Sequence, residues 1–223
     1  MQLTIGEAAK LLQVTEDTVY KFIREDGLPA SRYDERYFLN RVKLVEWATH
    51  NQVPLALEHA PRHLALATTL RNGGIFHGID ANTKTEALKG VVAHLPLPPG
   101  LSRAFVLEML LARERGQSTG LGDGIAIPHA EHPLLFQVKK PSVTLCFLRK
   151  PIEFGAPDGI GVFALFTIMA PTVASHLQHL SEVAQALSDS EFRRHVQAQA
   201  DAETLFACLE RKLTPADDVE AAS

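Results

Sequence analysis

The sequence predicts an α/β chain in two parts: a small domain of short helices, then a larger domain in which helices and strands intermix. Three observations predict it. Residues 1–50 hold two closely spaced capped helices, a loosely alternating stretch and a third helix. Residues 68–213 run through helical and strand-like periods by turns, which gives a layered α/β domain. Between them, residues 51–67 carry Pro54, His59, Pro61 and His63 with no clear period and read as a linker. Residues 214–223 are acidic and rich in small residues, the composition of a flexible tail.

In the first domain, Thr4 precedes GEAAKLL with Glu7 three residues on, the spacing of a capping box. Thr15 caps the next helix, where Val19, Phe22 and Ile23 repeat at helical spacing, and Gly27 ends it. Leu28 to Phe38 contains Pro29 and reads as a short wing or hairpin. Asn40 opens a third helix, RVKLVEWATH. In the second domain the strands are Gly74 to Ile79, Ile125 to Ile127, Ser142 to Arg149 and Val162 to Met169. Helices span Thr83 to Leu95, Ser102 to Arg115, Ala174 to Ser188, Ser190 to Gln199 and Ala202 to Lys212. The strands at 142 and 162 are apolar on both faces, as buried strands are.

Composition narrows the function classes. The chain has 223 residues, 46% apolar and 22% charged, which are ordinary globular values. A net charge of -4 excludes coating of nucleic acid or anionic membrane by bulk electrostatics. The N-terminus is no signal peptide, and the most apolar run, Gly161 to Ala170, is too short to span a membrane. A cytoplasmic protein with no membrane contact is expected. Cys146 and Cys208, without C-x-x-C spacing, read as small buried hydrophobes in a reducing compartment.

Chemistry concentrates in Ala112 to Ala130, ARERGQSTGLGDGIAIPHA. Glycines let backbone amides approach an anion, so Gly120, Gly122 and Gly124, with the hydroxyls of Ser118 and Thr119, form a candidate phosphate loop. Pro128 then stiffens the entry to His129, and a rigidly presented imidazole beside such a loop suits phosphoryl transfer through nitrogen. Arg113 supplies a guanidinium for phosphate oxygens. His176, at a later helix start, offers a second imidazole to bond the phosphate or orient His129. Spacing alone supports plainer readings as well: Asp123 in a turn, Glu114, Arg115 and Glu131 as solvated charges, and His132, His179 and His195 on the surface. No histidines stand on an H-E-x-x-H frame, so no metal and no cofactor are expected.

The string STGLGDGIAIPHA closely resembles the signature of enzyme IIA proteins of the phosphoenolpyruvate:sugar phosphotransferase system, fructose/mannitol class, including the nitrogen-regulatory branch. The resemblance extends over Leu70 to Leu213, through Arg113-Glu114, the Pro151 to Asp158 string, ALFTIMAP and HLQHLSEVAQAL. It implies a mixed sheet flanked by helices, His129 as phosphoryl acceptor, Arg113 and His176 lining the site, and a phosphorylated HPr-like carrier as donor. Such a protein is a phosphohistidine carrier rather than a turnover enzyme. Where the family usually has glycine after the active histidine, this chain has Ala130 and then the acidic Glu131. No IIB-like or IIC-like segment accompanies the domain, which favours regulation over transport.

The opening stretch, TIGEAAKLLQVTEDTVYKFIREDGLPASR, resembles the excisionase/MerR-type winged helix-turn-helix. That resemblance implies a Glu16 to Arg24 helix in the DNA major groove, with Thr18, Tyr20, Lys21 and Arg24 toward DNA and Arg32 and Arg36 in the wing near phosphates. Residues 1–50 hold seven Lys or Arg against eight Asp or Glu, so no basic face announces itself. A homodimer reading a palindrome would compensate for a weak single module. Use of the helix-turn-helix for protein docking, and a IIA-like module that binds a partner without transferring phosphate, stand beside the DNA reading.

Overall fold

The computed structural model describes residues 2–33, 36–51, 53, 55, 62–131 and 133–211. The N-terminal unit contains β1 (Gln2–Thr4), α1 (Ile5–Leu12), α2 (Glu16–Glu25), β2 (Ser31–Tyr33), β3 (Arg36–Asn40) and α3 (Arg41–His50). The capping box forms as the spacing requires: Thr4 Oγ1 accepts from the Glu7 amide, and a Glu7 carboxylate oxygen accepts from the Thr4 amide at 2.8 Å. Thr15 caps α2 through the Thr18 amide. Past α2, Gly27 takes φ +69, and the Leu28 amide turns back to the Phe22 carbonyl at 3.0 Å. The expected hairpin is present as β2 and β3. A further strand, β1, pairs with β3, so the order is β1-β3-β2, all antiparallel. At three residues running straight into a helix, β1 is too short to show a period. Asp34 and Glu35 of the wing lie outside the described residues.

The second unit begins with α4 (Arg62–Gly73), which takes up the end of the stretch read as linker. Then come β4 (Ile75–Ile79), α5 (Lys84–His94), α6 (Arg103–Gly116), β5 (Gly120–Gly122), β6 (Ile125–Ala126), a 3-10 turn at Pro133–Phe136, β7 (Ser142–Ile152), β8 (Val162–Met169), α7 (Val173–Ser188), α8 (Ser190–Gln197) and α9 (Ala202–Arg211). The sheet order is β4-β7-β8-β6-β5. Pairs β4–β7 and β6–β8 are parallel, whereas β7–β8 and β5–β6 are antiparallel, so the sheet is mixed. The glycine-rich stretch read as a loop is therefore partly a hairpin. The tail at 214–223 lies outside the described residues.

The two central strands are buried on both faces. Val143, Leu145 and Phe147 of β7 and Ala164, Phe166 and Ile168 of β8 face one core. Cys146, Leu148 and Ile152 with Val162, Leu165 and Met169 face the other, under α5 and α6. Each large side chain so buried contributes about 1.5–3 kcal/mol. The first core does not stop at the domain edge. It includes Leu44, Val45 and Ala48 of α3 together with Leu177, Leu180 and Val183 of α7, so the N-terminal unit is packed onto the sheet domain. Both cysteines are buried, and burial pushes the Cys146 thiol up to about 12. Among the described residues, no helix is long and apolar enough to cross a membrane.

Candidate functional site

His129 stands three residues beyond the end of β6. The Ile127 amide extends the hairpin by bonding the Thr119 carbonyl at 3.0 Å, and Pro128 follows, so the approach to His129 is fixed from both sides. The imidazole is 4% exposed. Its Nδ1 lies 2.7 Å from the Ile127 carbonyl, which can only accept, so Nδ1 carries a proton. Nε2 is thereby the atom turned to the cleft.

Arg113 comes from the last turn of α6, and its guanidinium is anchored by donating to the Gln117 carbonyl at 2.8 Å. His176 comes from the first turn of α7 and is 1% exposed. Its ring centre lies 5.1 Å from that of His129, and among the described residues neither of its nitrogens has a hydrogen-bond partner. Burial, reinforced by the nearby His129, pushes its pKa down to about 3. His176 is accordingly a neutral imidazole with one donor and one acceptor to spare. The three residues that carry the resemblance are thus brought together.

A cleft of about 320 Å³ opens beside them. Arg113, Gln117, Ser118, Thr119, His129 and Glu131 line one side. Gly27, Pro29, Glu46, Trp47 and His50 of the N-terminal unit line the other. Glu46 reaches across: Oε1 lies 3.3 Å from His129 Nε2, and Oε2 lies 3.7 Å from the Arg113 guanidinium. Burial pushes the Glu46 carboxyl up, but the His129 hydrogen bond and the charges of His129 and Arg113 outweigh it and hold it below the usual carboxylate range. Burial, with the Arg113 charge, also holds the His50 pKa below its ordinary value.

The chain belongs to the EIIA 2 family of the phosphoenolpyruvate-dependent sugar phosphotransferase system. That family model matches residues 68–212, and a helix-turn-helix domain model matches residues 3–52. A nitrogen regulatory protein of Escherichia coli is 37% identical over 152 residues, covering 66% of this chain and 90% of that protein. One from Bradyrhizobium diazoefficiens is 32% identical over 137 residues, 60% of this chain and 88% of the other. The crystal structure of nitrogen regulatory protein IIA-Ntr from Neisseria meningitidis superposes with a TM-score of 0.57 at 32% identity. It covers 65% of this chain and 99% of that one.

The residues of the glycine-rich stretch fall into two groups. Ser118 and Thr119 line the cleft, but their donors are engaged: Ser118 Oγ donates to the Phe154 carbonyl at 2.7 Å, and the Thr119 amide and hydroxyl donate to Glu114. Gly120, Gly122 and Gly124 are not among the cleft-lining residues; they build the β5–β6 hairpin. Gly124 has φ +77, and a Cβ there would stand 2.3 Å from the Phe163 ring. Asp123, read as a turn residue, sits at the bend with φ 52 and gives its amide to Asp158 at 2.7 Å. The glycines thus shape the hairpin that leads to His129.

Two polar readings are corrected. Glu114 is no solvated charge: it is buried, and besides Thr119 it binds Lys84 at 3.0 Å, tying α6 to the start of α5 and to the loop. His179 is buried as well, with Nδ1 2.8 Å from Glu182 one turn along. Arg115 and Glu131 are exposed as expected, Ala130 is packed into the second core, and His132 lies outside the described residues.

On α2, Lys21 and Arg24 are exposed, as is Arg32 on β2. Thr18 is half-buried and engaged with Thr15 in the helix cap, and Tyr20 packs edge-on against Tyr37 at 5.9 Å. Arg36 lies in β3, outside the residues whose side chains are described.

Sequence reasoning missed Glu46 and His50, since nothing in local spacing links α3 to residue 129. Glu46, His129 and His176 place ligand atoms within 4.8 Å of one another, a set that by chemistry alone suits zinc. The Arg113 guanidinium on the same carboxylate opposes a second cation there, and the cleft is better suited to an anion.

Proposed function

We propose that this chain is a regulator linked to the phosphotransferase system, in which His129 accepts a phosphoryl group from an HPr-like carrier and the helix-turn-helix binds DNA. The observation that carries the reading is His129 Nε2 facing a cleft with Arg113 and a neutral His176 beside it. In the transfer, the N–P bond of the carrier's phosphohistidine breaks as a bond forms from the Nε2 lone pair to phosphorus. Nδ1–H, held by the Ile127 carbonyl, steadies the positive character that the ring gains. Arg113 neutralises the equatorial oxygens, and His176 can donate one hydrogen bond to them. No cofactor takes part, and the donor places the protein in the cytoplasm.

DNA contact rests on the helix-turn-helix match and on Lys21, Arg24 and Arg32 being exposed. Protein docking through the same unit is the second reading, favoured by Thr18 and Tyr20 being partly packed and by the near balance of charge in residues 1–50. The test is incubation with phosphoenolpyruvate, enzyme I and an HPr-like carrier, followed by intact mass, for the native chain and His129→Ala. Selection from a random DNA pool then follows with both phosphorylation states. One phosphate gained by the native chain alone, with enrichment of a DNA sequence, is the expected result. No phosphate on the native chain contradicts the carrier role, and no enrichment in either state leaves docking to a protein.

A further inference from the structure

We propose that Glu46 is an internal stand-in for the phosphoryl group, so that docking of α3 over the cleft and phosphorylation of His129 exclude one another. The proposal rests on His129 being the acceptor. A carboxylate and a phosphoryl group both present anionic oxygens, and Glu46 spends its two on groups that a phosphoryl group on His129 would need. One faces His129 Nε2 at 3.3 Å, and the other faces Arg113 at 3.7 Å. With Nδ1–H already given to Ile127, the Nε2 contact requires a proton on Nε2 or on the carboxyl. Either arrangement engages the lone pair that must attack phosphorus.

Geometry reinforces the chemistry. Glu46 and His50 are four residues apart and so share one face of α3, and both line the cleft. A carrier's phosphohistidine must approach along the Nε2 lone pair, the direction that Glu46 fills. Once His129 is phosphorylated, roughly two negative charges stand beside a half-buried carboxylate, and like charges at such a distance repel in the cleft.

The packing that holds α3 down is incomplete. A cavity of about 270 Å³ lies at the edge of this contact, lined by Ala48, Thr49, Val53, Leu121, Ile125 and Leu187. The Thr49 hydroxyl, buried there, has no hydrogen-bond partner among the described residues. Atoms that line such a cavity forgo part of their dispersion contacts, so this edge of the interface is weaker than a filled core. The recognition helix is not what is hidden: Lys21 and Arg24 are exposed while α3 is docked. Phosphorylation therefore frees the N-terminal unit as a body instead of uncovering its DNA-facing side chains.

Trp47, the sole tryptophan, adjoins Glu46, lines the cleft and is 8% exposed, which makes it a native reporter of docking. The experiment follows phosphate gain by intact mass, and Trp47 emission in parallel, for the full native chain, Glu46→Gln and Glu46→Ala, with phosphoenolpyruvate, enzyme I and an HPr-like carrier. Both variants are expected to gain phosphate at least tenfold faster than the native chain. Native emission is expected to shift to longer wavelength as phosphate is gained, and the variants to start nearer that end point. Unchanged or slower phosphorylation of both variants, or native phosphorylation without a change in Trp47 emission, overturns the proposal alone. Absence of phosphate on all three chains overturns it together with the acceptor reading.

Discussion

At the residue scale, the site depends on His176 being neutral. Burial pushes its pKa down to about 3 in the folded chain, from an ordinary value of 6.5. Below pH 6.5 the unfolded chain binds this proton and the folded chain does not, so stability is lost as pH falls from 6.5 toward 3. The slope for one such proton reaches about 1.4 kcal/mol per pH unit. His50, also held low, adds a loss of the same sign. Thermal melts at pH 7.5, 6.5 and 5.5 are expected to show the native midpoint falling more steeply than that of His176→Gln; parallel curves would contradict a neutral buried imidazole. His129, Arg113 and His176 were legible because each sits in a string whose neighbours carry the family pattern. Glu46 was not, because 83 positions separate it from His129 and only packing brings them together. Glu114 was misread because a lone acid on a helix looks solvated until the loop that covers it is seen.

At the element scale, the close passage of α4 over β7 decides how the sheet domain starts. Gly73 ends α4, and a Cβ there would stand 2.1 Å from the Val143 carbonyl oxygen. Helix propensity alone makes Gly73→Ala stabilising by roughly 1 kcal/mol. The backbone clash works against it, and overpacking of this kind costs about 1–3 kcal/mol. The clash is expected to win, so urea denaturation should give a less stable variant; a more stable one would contradict the close approach. Helices with caps were readable from sequence to within a residue or two, since Thr4, Thr15 and Gly27 act locally. Strands β1 and β5 escaped notice for a physical reason: three residues hold too little alternation to show a period, and β5 lies among glycines that read as loop.

At the scale of the whole molecule, the sequence separates two units but says nothing of how they meet. The shared core of α3 and α7, and a cleft walled by both units, are consequences of tertiary packing. They are also what makes the fusion more than two modules on a string, since the residue that enters the His129 site belongs to the other unit. Everything proposed for coupling depends on which atom of which residue receives the phosphoryl group. The most direct test is phosphorus and nitrogen NMR of the full chain, labelled in histidine nitrogen, after incubation with phosphoenolpyruvate, enzyme I and an HPr-like carrier. A single phosphohistidine at residue 129, bonded through Nε2 with Nδ1 still protonated, is the expected result. Phosphate on Nδ1, on another histidine, or on none would contradict the account.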